Sequence, residues 1–399
     1  MKNLLSFAFF ICLSYILIAQ NNSNFQNFID NRNKQAFKTY KRLEKTQQNE
    51  IFSPYILDFS FSEIYLATQK GTAVQIANVQ QFNINKNLHF QNFDKYQHIT
   101  DFLNSLNTNL KYSVNIFYPD SLKIQKNFSN NIKKIYIFDS IRPFKSNISK
   151  KNLAEYINKI IKKNTSDNIK NVFKQNNMPD KPNIIVSSAA YFSGHWANNF
   201  TNYIYSPFVL DTSGKSIKMV KYLTINDYFK YGESADYQII QIPYEGFRLS
   251  LIIILPKKNI NLKNTPDFFN YDSFKLWREQ TLQTERVRLL IPEFSIENLY
   301  SLKNKYSKLM PSVFSKGGNF LNMIKSLVYV NGFYHFAKFK ISDENENTQE
   351  IKSINFQKEQ QTNGSIIFNA NHPFLFFLID KKTNAIIFIG HFNNPEQKD

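Results

Sequence analysis

A long polar stretch set between two of the most apolar segments of the chain constrains the fold more than any other feature. Residues 343–368 read DENENTQEIKSINFQKEQQTNGSIIF, with no clean helical period, few large apolar residues and no proline. Residues 327–341 (LVYVNGFYHFAKFKI) precede it and residues 374–389 (FLFFLIDKKTNAIIFI) follow, both β-prone and aromatic-rich. Such runs read as buried strands. A polar connection of about 25 residues between two buried strands is too long for an ordinary loop, and loops of that length are functional or disordered. Two readings stand at this point: a solvated insertion without a role, or a loop held out for a partner.

The rest of the chain can support such a loop. It has 399 residues, 42% of them hydrophobic, with 39 Phe and 22 Tyr, so a large aromatic core is available. The first twenty residues, MKNLLSFAFFICLSYILIAQ, place Lys2 ahead of an apolar run that ends near the small Ala19. This is the pattern of a secretory signal peptide. It is expected to cover residues 1–19 and to leave one domain over 20–399, secreted and extracellular. A membrane anchor is the alternative, but the run is short and no other segment could span a bilayer, so no membrane attachment is expected after cleavage. The single cysteine, Cys12, lies inside this stretch. The secreted form is therefore expected to carry no disulfide, although its compartment allows one, and to draw its stability from the core of a large domain.

The formal net charge is +18, or +17 without Lys2. That excess would suit a polyanion such as a glycosaminoglycan. The lysines are spread along the chain, however, which favours a solvated surface. The densest group, Lys159, Lys162 and Lys163, falls on an expected helix, and no nucleic-acid motif accompanies it. Glycosylation sequons begin at Asn21, Asn127, Asn147, Asn164, Asn199 and Asn363. Asn363 in the polar stretch and Asn164 near a helix end are the better candidates, with Asn127 and Asn147 also kept. Asn199, between Trp196 and Phe200 in an apolar neighbourhood, is the poorest.

Catalytic and metal chemistry leave no mark. The six histidines, His89, His98, His195, His335, His372 and His391, show no metal-ligand spacing. There is no G-x-S-x-G elbow, no P-loop and no G-x-G-x-x-G. No metal, cofactor or enzymatic activity is expected.

Periodicity gives a coarse map. Residues 21–48 read as a helix carrying Phe25, Phe28, Ile29, Phe37 and Tyr40 on one side. Ser53-Pro54 reads as a helix start, because serine caps exposed N–H groups and proline tolerates the first turn. A strand is expected at 113–118, a short apolar run at 134–138 and a helix over 153–173. Strands are expected within 183–196, at 239–244 and 249–256 as a hairpin turning at Gly246, and at 287–294, with a short helix over 300–309. No linker divides the chain.

Several of these segments carry motifs that resemble the serpin family. They are HPFLFF from His372 to Phe377, D-x-x-T-N from Asp380 to Asn384, and G-x-x-x-N-P from Gly390 to Pro395. Upstream lie N-x-x-x-S-P from Asn49 to Pro54, the segment at 71–76 where the likeness implies a turn, the strand before Trp196, and the hairpin around Gly246. The likeness covers nearly all of residues 25–395. It implies one α+β domain with large antiparallel sheets, a cluster of helices, and an exposed reactive-centre loop over about 345–367. It also implies a monomer whose partner is an extracellular serine protease. In the family the protease attacks a bait bond in this loop and becomes an acyl-enzyme through its own serine. The freed loop then inserts as a new strand in the main sheet and drags the protease along, driven by strain stored in the fold.

By the family's spacing the bait bond falls at Glu359–Gln360, and a shift of one residue puts it at Lys358–Glu359, which a trypsin-like protease would prefer. The hinge falls on Asn345, Glu346, Asn347, Thr348, Gln349 and Glu350, where inhibitory members carry small residues. By the family register Glu346, Thr348, Glu350 and Lys352 would face inward on insertion, which implies weak or lost inhibition. The shutter, where the sheet opens, falls on Ser53, Ser188 and His335. Ser188 stands where asparagine is usual, and Ile56 where a second serine is usual. Two alternatives remain: a non-inhibitory member acting as an extracellular binding or carrier protein, and a basic polyanion-binding protein whose loop is incidental.

Overall fold

In the computed structural model the described residues are 2–43, 49–105, 109–135, 140–210, 215–257, 270–280, 282–342, 349–354 and 364–395, with the side chains of 2–22 and of a few helix-end positions excepted. The helices are α1 (Lys2–Leu43), α2 (Pro54–Ala67), α3 (Lys70–Gln80), α4 (Lys86–Ser105), α5 (Lys126–Ile135), α6 (Lys150–Asn164), α7 (Tyr271–Gln280) and the short α8 (Lys303–Tyr306). The early strands are β1 (Glu50–Phe52), β2 (Asn109–Pro119), β3 (Ile141–Phe144), β4 (Ile184–Ser193), β5 (Asn202–Val209), β6 (Ile217–Glu233), β7 (Tyr237–Pro243) and β8 (Leu249–Pro256). The later ones are β9 (Gln283–Pro292), β10 (Phe294–Ser301), β11 (Val330–Ile341), β12 (Gln349–Glu350), β13 (Ile366–Asn369), β14 (Phe374–Asp380) and β15 (Ile386–Phe392).

The strands form two sheets. One has five strands in the order β10-β11-β4-β2-β3. The other has ten, with β1-β15-β14-β8-β7-β6-β5-β12 in sequence and β9 and β13 joined through β6. This is the α+β arrangement that the sequence motifs imply. The apolar runs occupy the centres. All seven residues of β14 and of β15 are buried. Gly390 is needed in β15 because a methyl there would collide with the Glu50 carbonyl of β1 and the ring of Phe376. The turn between them follows from D-x-x-T-N. Buried Asp380 accepts from Arg248 and from the Thr383 amide (3.1 Å), and Asn384 adopts a left-handed φ of 65°.

All ten residues of β4 are buried, and its centre is Ser187-Ser188-Ala189-Ala190. Both of its faces are covered, as expected for a strand in a parallel pair. On one face lies the main core. On the other, Leu153, Ile157 and Ile161 of α6 meet Ile185 and Ala189 of β4 and Phe336 of β11. Helix α2 is apolar almost all round and lies inside the molecule. Its N-cap is Ser53, whose Oγ accepts from the Ile56 amide at 3.2 Å, with Pro54 in the first turn.

Three expectations need correction. The helix expected over 153–173 ends at Asn164, since Ser166 and Asp167 turn to left-handed φ values of 49° and 66°. The helix expected over 300–309 shrinks to α8, because Tyr300 and Ser301 are held in β10 opposite His335 and Tyr334 of β11. The turn expected at 71–76 lies within α3. The run at 134–138 begins at the end of α5, and residues 136–139 lie outside the described set. The Gly246 hairpin is present, with φ 75° at Gly246 between β7 and β8.

Helix α2 also carries a buried acid. Glu63 is fully buried, and among the described residues neither of its carboxyl oxygens has a hydrogen-bond partner. Burial pushes its pKa up to about 8, with Ser140 nearby offsetting part of the effect. Folded Glu63 thus stays protonated where the unfolded chain ionises. Its contribution to stability is complete below about pH 4.5 and is lost as pH rises towards 8, at about 1.4 kcal/mol per unit. Asp58, raised to about 7 by burial against the pull of Arg32, acts in the same direction. Glu63→Gln is expected to raise unfolding free energy at pH 7 by roughly 2–3 kcal/mol. Urea titrations should show the gap between variant and wild type widening from pH 5 to pH 8. An equal gap at both would contradict the argument.

Candidate functional site

The polar stretch follows β11 of the five-stranded sheet, meets the ten-stranded sheet briefly at β12 and ends there in β13. The site is the seam beneath its departure point. Strands β11 and β4 are parallel neighbours, whereas β10 and β11 are antiparallel. A chain that turns back after Ile341 runs antiparallel to β11. Beside β4 it would be antiparallel on both sides; beside β10 it would be parallel on one. Parallel pairing is slightly the weaker kind. The β11–β4 seam is therefore the place in this sheet where an added strand gains most.

One side chain ties the seam shut. His335 on β11 lies opposite Ser188 on β4. The Ser53 amide donates to His335 Nε2 at 3.0 Å, so the ring proton sits on Nδ1, which donates to Ser188 Oγ at 2.8 Å. Ser53 Oγ in turn donates to the Ile387 carbonyl of β15 at 2.7 Å. The imidazole is completely buried, and that burial lowers its pKa to about 3, so it is neutral at physiological pH. Ser53 and Ser188 thus each bond to His335, which links β11, β4, the start of α2 and, through Ser53, β15.

The upper end of the seam is held by Trp196. Its Nε1 donates to the Ser342 carbonyl at 3.2 Å, and its ring stacks on Tyr244 with centroids 4.4 Å apart. Beyond Ser342, the expected hinge residues Asn345, Glu346, Asn347 and Thr348 lie outside the described residues, as do Lys358, Glu359 and Gln360 of the expected bait bond. Gln349 and Glu350 are described, and they are exposed. They form β12, paired in parallel with Asn202 and Tyr203 of β5. At the far end Gly364 takes φ 61°, Ser365 Oγ donates to Asn226 Oδ1 at 3.2 Å, and β13 pairs in parallel with β9.

Among the sequons, Asn127 on α5 and Asn147 before α6 are exposed. Asn164 closes α6 with its side chain half-buried, donating to Ser113 Oγ at 3.0 Å. Asn199 is exposed although Trp196 and Phe200 beside it are buried, so its apolar neighbours do not bury the asparagine itself. Asn363 lies outside the described residues, and so does the side chain of Asn21. Among the described residues no group of three or more His, Cys, Asp or Glu is placed to hold a metal ion, and no helix is long and apolar enough to cross a membrane.

The described residues thus hold two sheets, a parallel β11–β4 pair bridged by buried His335, and a polar stretch that starts after β11 of one sheet and ends at β13 of the other. The family model described as "Serpin (serine protease inhibitor)" matches residues 30–395, and the chain belongs to that family. It is 26% identical over 385 residues to a serpin-like protein of Methanosarcina mazei, covering 91% of this chain and 86% of that one. It is 25% identical over 383 residues to human Serpin B3, covering 90% and 97%. Among solved structures, maspin superposes with a TM-score of 0.81 at 24% identity, covering 93% of this chain and all of that one. That structure speaks for the fold alone. Serpins are generally inhibitors of proteases rather than enzymes, and the family also has non-inhibitory members such as ovalbumin and thyroxine-binding globulin.

Two contacts of the site were not read from the sequence: the Trp196–Ser342 bond and the docking of β12 on β5. Trp196 carried a signal, as an aromatic with a donor that needs a partner when buried. Gln349 and Glu350 carried none, because their strand is defined by an edge nearly 150 residues away in sequence.

Proposed function

We propose that this serpin is secreted and offers the bond at Glu359–Gln360, or Lys358–Glu359, to an extracellular serine protease, and that it is cleaved more often than it traps. The closed β11–β4 seam carries this reading. The loop follows β11 directly, and for a chain that turns back antiparallel to β11 this seam offers antiparallel neighbours on both sides. A protease acylated at the bait bond would be displaced as the freed loop entered there. The charged hinge at Glu346 and Glu350 opposes that entry, and it also favours the second reading, a non-inhibitory extracellular binding protein.

The two separate on a gel. Incubation with a panel of serine proteases is expected to give mainly a cleaved serpin, with a faint SDS-stable band at the summed mass. A stoichiometric stable complex would show efficient trapping and overturn the impaired-hinge reading. A loop that no protease cleaves would favour the binding protein.

A further inference from the structure

We propose that residues 349–354 are a latch, in which the loop's own chain docks as an extra edge strand on β5 and holds the hinge away from the seam. The inference rests on reading residues 343–365 as a bait loop, and it adds a second, separate obstacle to insertion. The Gln349 amide donates to the Thr201 carbonyl at 3.0 Å and the Ile351 amide to the Tyr203 carbonyl at 2.9 Å, which continues the ten-stranded sheet by one short strand. The Tyr203 hydroxyl donates to the Glu350 carboxylate at 3.4 Å. Behind them Ile351 and Ile354 are half-buried against the main core. Lys221 lies over the Tyr203 ring at 4.7 Å and pairs with Glu293 at 3.0 Å. Pro207, further along β5, offers no amide for a longer strand.

The consequence is mechanical. Residues 349–351 cannot pair with β5 and lie between β11 and β4 at the same time. Entry of the hinge requires both backbone bonds to break and two isoleucines to leave the core.

The test uses the full-length protein with Cys12→Ser and, for the conversion measurements, with Glu346→Thr and Glu350→Ala so that the cleaved loop can insert. Gln349 and Asn202 are register partners, so Gln349→Cys with Asn202→Cys should cross-link under native oxidising conditions. After cleavage within 355–363, the cross-linked form is expected to stay in its original, less heat-stable state. The reduced form should convert at least tenfold faster. Hydrogen exchange across 349–351 should be slowed in the wild type and rise at least tenfold in Ile351→Ser, with the core unchanged. Exchange at the rate of an unstructured chain, or a cross-link that forms only after denaturation, would overturn the latch. Equal conversion rates in oxidised and reduced protein would overturn its gating role. Failure of even the reduced form to convert would count against insertion, and thus against the trapping mechanism, while the exchange data still decide the latch.

Discussion

His335→Ala is expected to lower the unfolding free energy at pH 7 by about 4–5 kcal/mol. Two effects combine. The ring is completely buried, so its removal leaves a cavity bounded by β11, β4 and the first turn of α2. It also leaves the Ser53 amide and the Ser188 hydroxyl without the partner they meet now. A buried donor left unsatisfied costs about 1–3 kcal/mol, and the cavity adds a further few kcal/mol. The pH profile separates this residue from a merely space-filling one. The folded pKa of His335 is lowered to about 3, below the unfolded value of about 6.5. Its contribution is therefore complete above pH 6.5 and is lost as pH falls towards 3, at about 1.4 kcal/mol per unit. That direction opposes Glu63, whose contribution falls as pH rises. His335→Gln keeps polar reach without the titration, and it should flatten the acid limb by one proton. Stability measured by urea at pH 4, 5.5 and 7 decides it. If wild type and His335→Gln run parallel across that range, the ring does not stay neutral and buried as argued.

The legibility of these features in the sequence follows their range. Ser53 was readable because an N-cap acts over three residues and Pro54 follows it directly. β14 and β15 were readable because unbroken apolar runs in a large sheet leave few alternatives. The end of α6 was misread because Ile169 and Phe173 continue an apolar pattern, yet they reach the same cluster through a turn rather than a helix. Tyr300 shows tertiary context overriding a local pattern. Its segment has helical spacing, but pairing with His335 on β11 keeps it extended. The meeting of Ser53, Ser188 and His335 was legible only through family resemblance. No local pattern links three residues so far apart in the chain. The β12–β5 contact had no local cause at all, since it depends on a free edge at Asn202 and Tyr203.

Cleavage of the loop is expected to raise the melting temperature of the wild type little, and that of Glu346→Thr with Glu350→Ala by roughly 10 °C or more. The argument lies in the two faces of the seam near its entry. On β11 the residues Ala337, Phe339 and Ile341 point into the main core and are buried. Lys338 and Lys340 between them face the other way and are half-buried, with Lys338 bonded to Glu297 at 2.9 Å. An inserted strand alternates in the same fashion. By the family register Glu346 and Glu350 would join the Ala337–Phe339–Ile341 face, whose β11 residues carry no cation. Neutralising each carboxylate at pH 7 costs about 4 kcal/mol, and leaving it charged and unpaired costs at least several kcal/mol. Lys352, two residues beyond Glu350 on the same face, reaches it imperfectly. In the present state Glu350 is exposed and bonded to Tyr203, so entry also forfeits that contact. Glu346 enters first and sets the barrier, which gives the acyl-enzyme time to hydrolyse. A one-residue shift would turn both acids towards Lys338 and Lys340 and make insertion favourable. Differential scanning calorimetry of intact and cleaved protein distinguishes the two registers. A large rise with the wild-type loop would show the acids on the lysine side and sink the prediction.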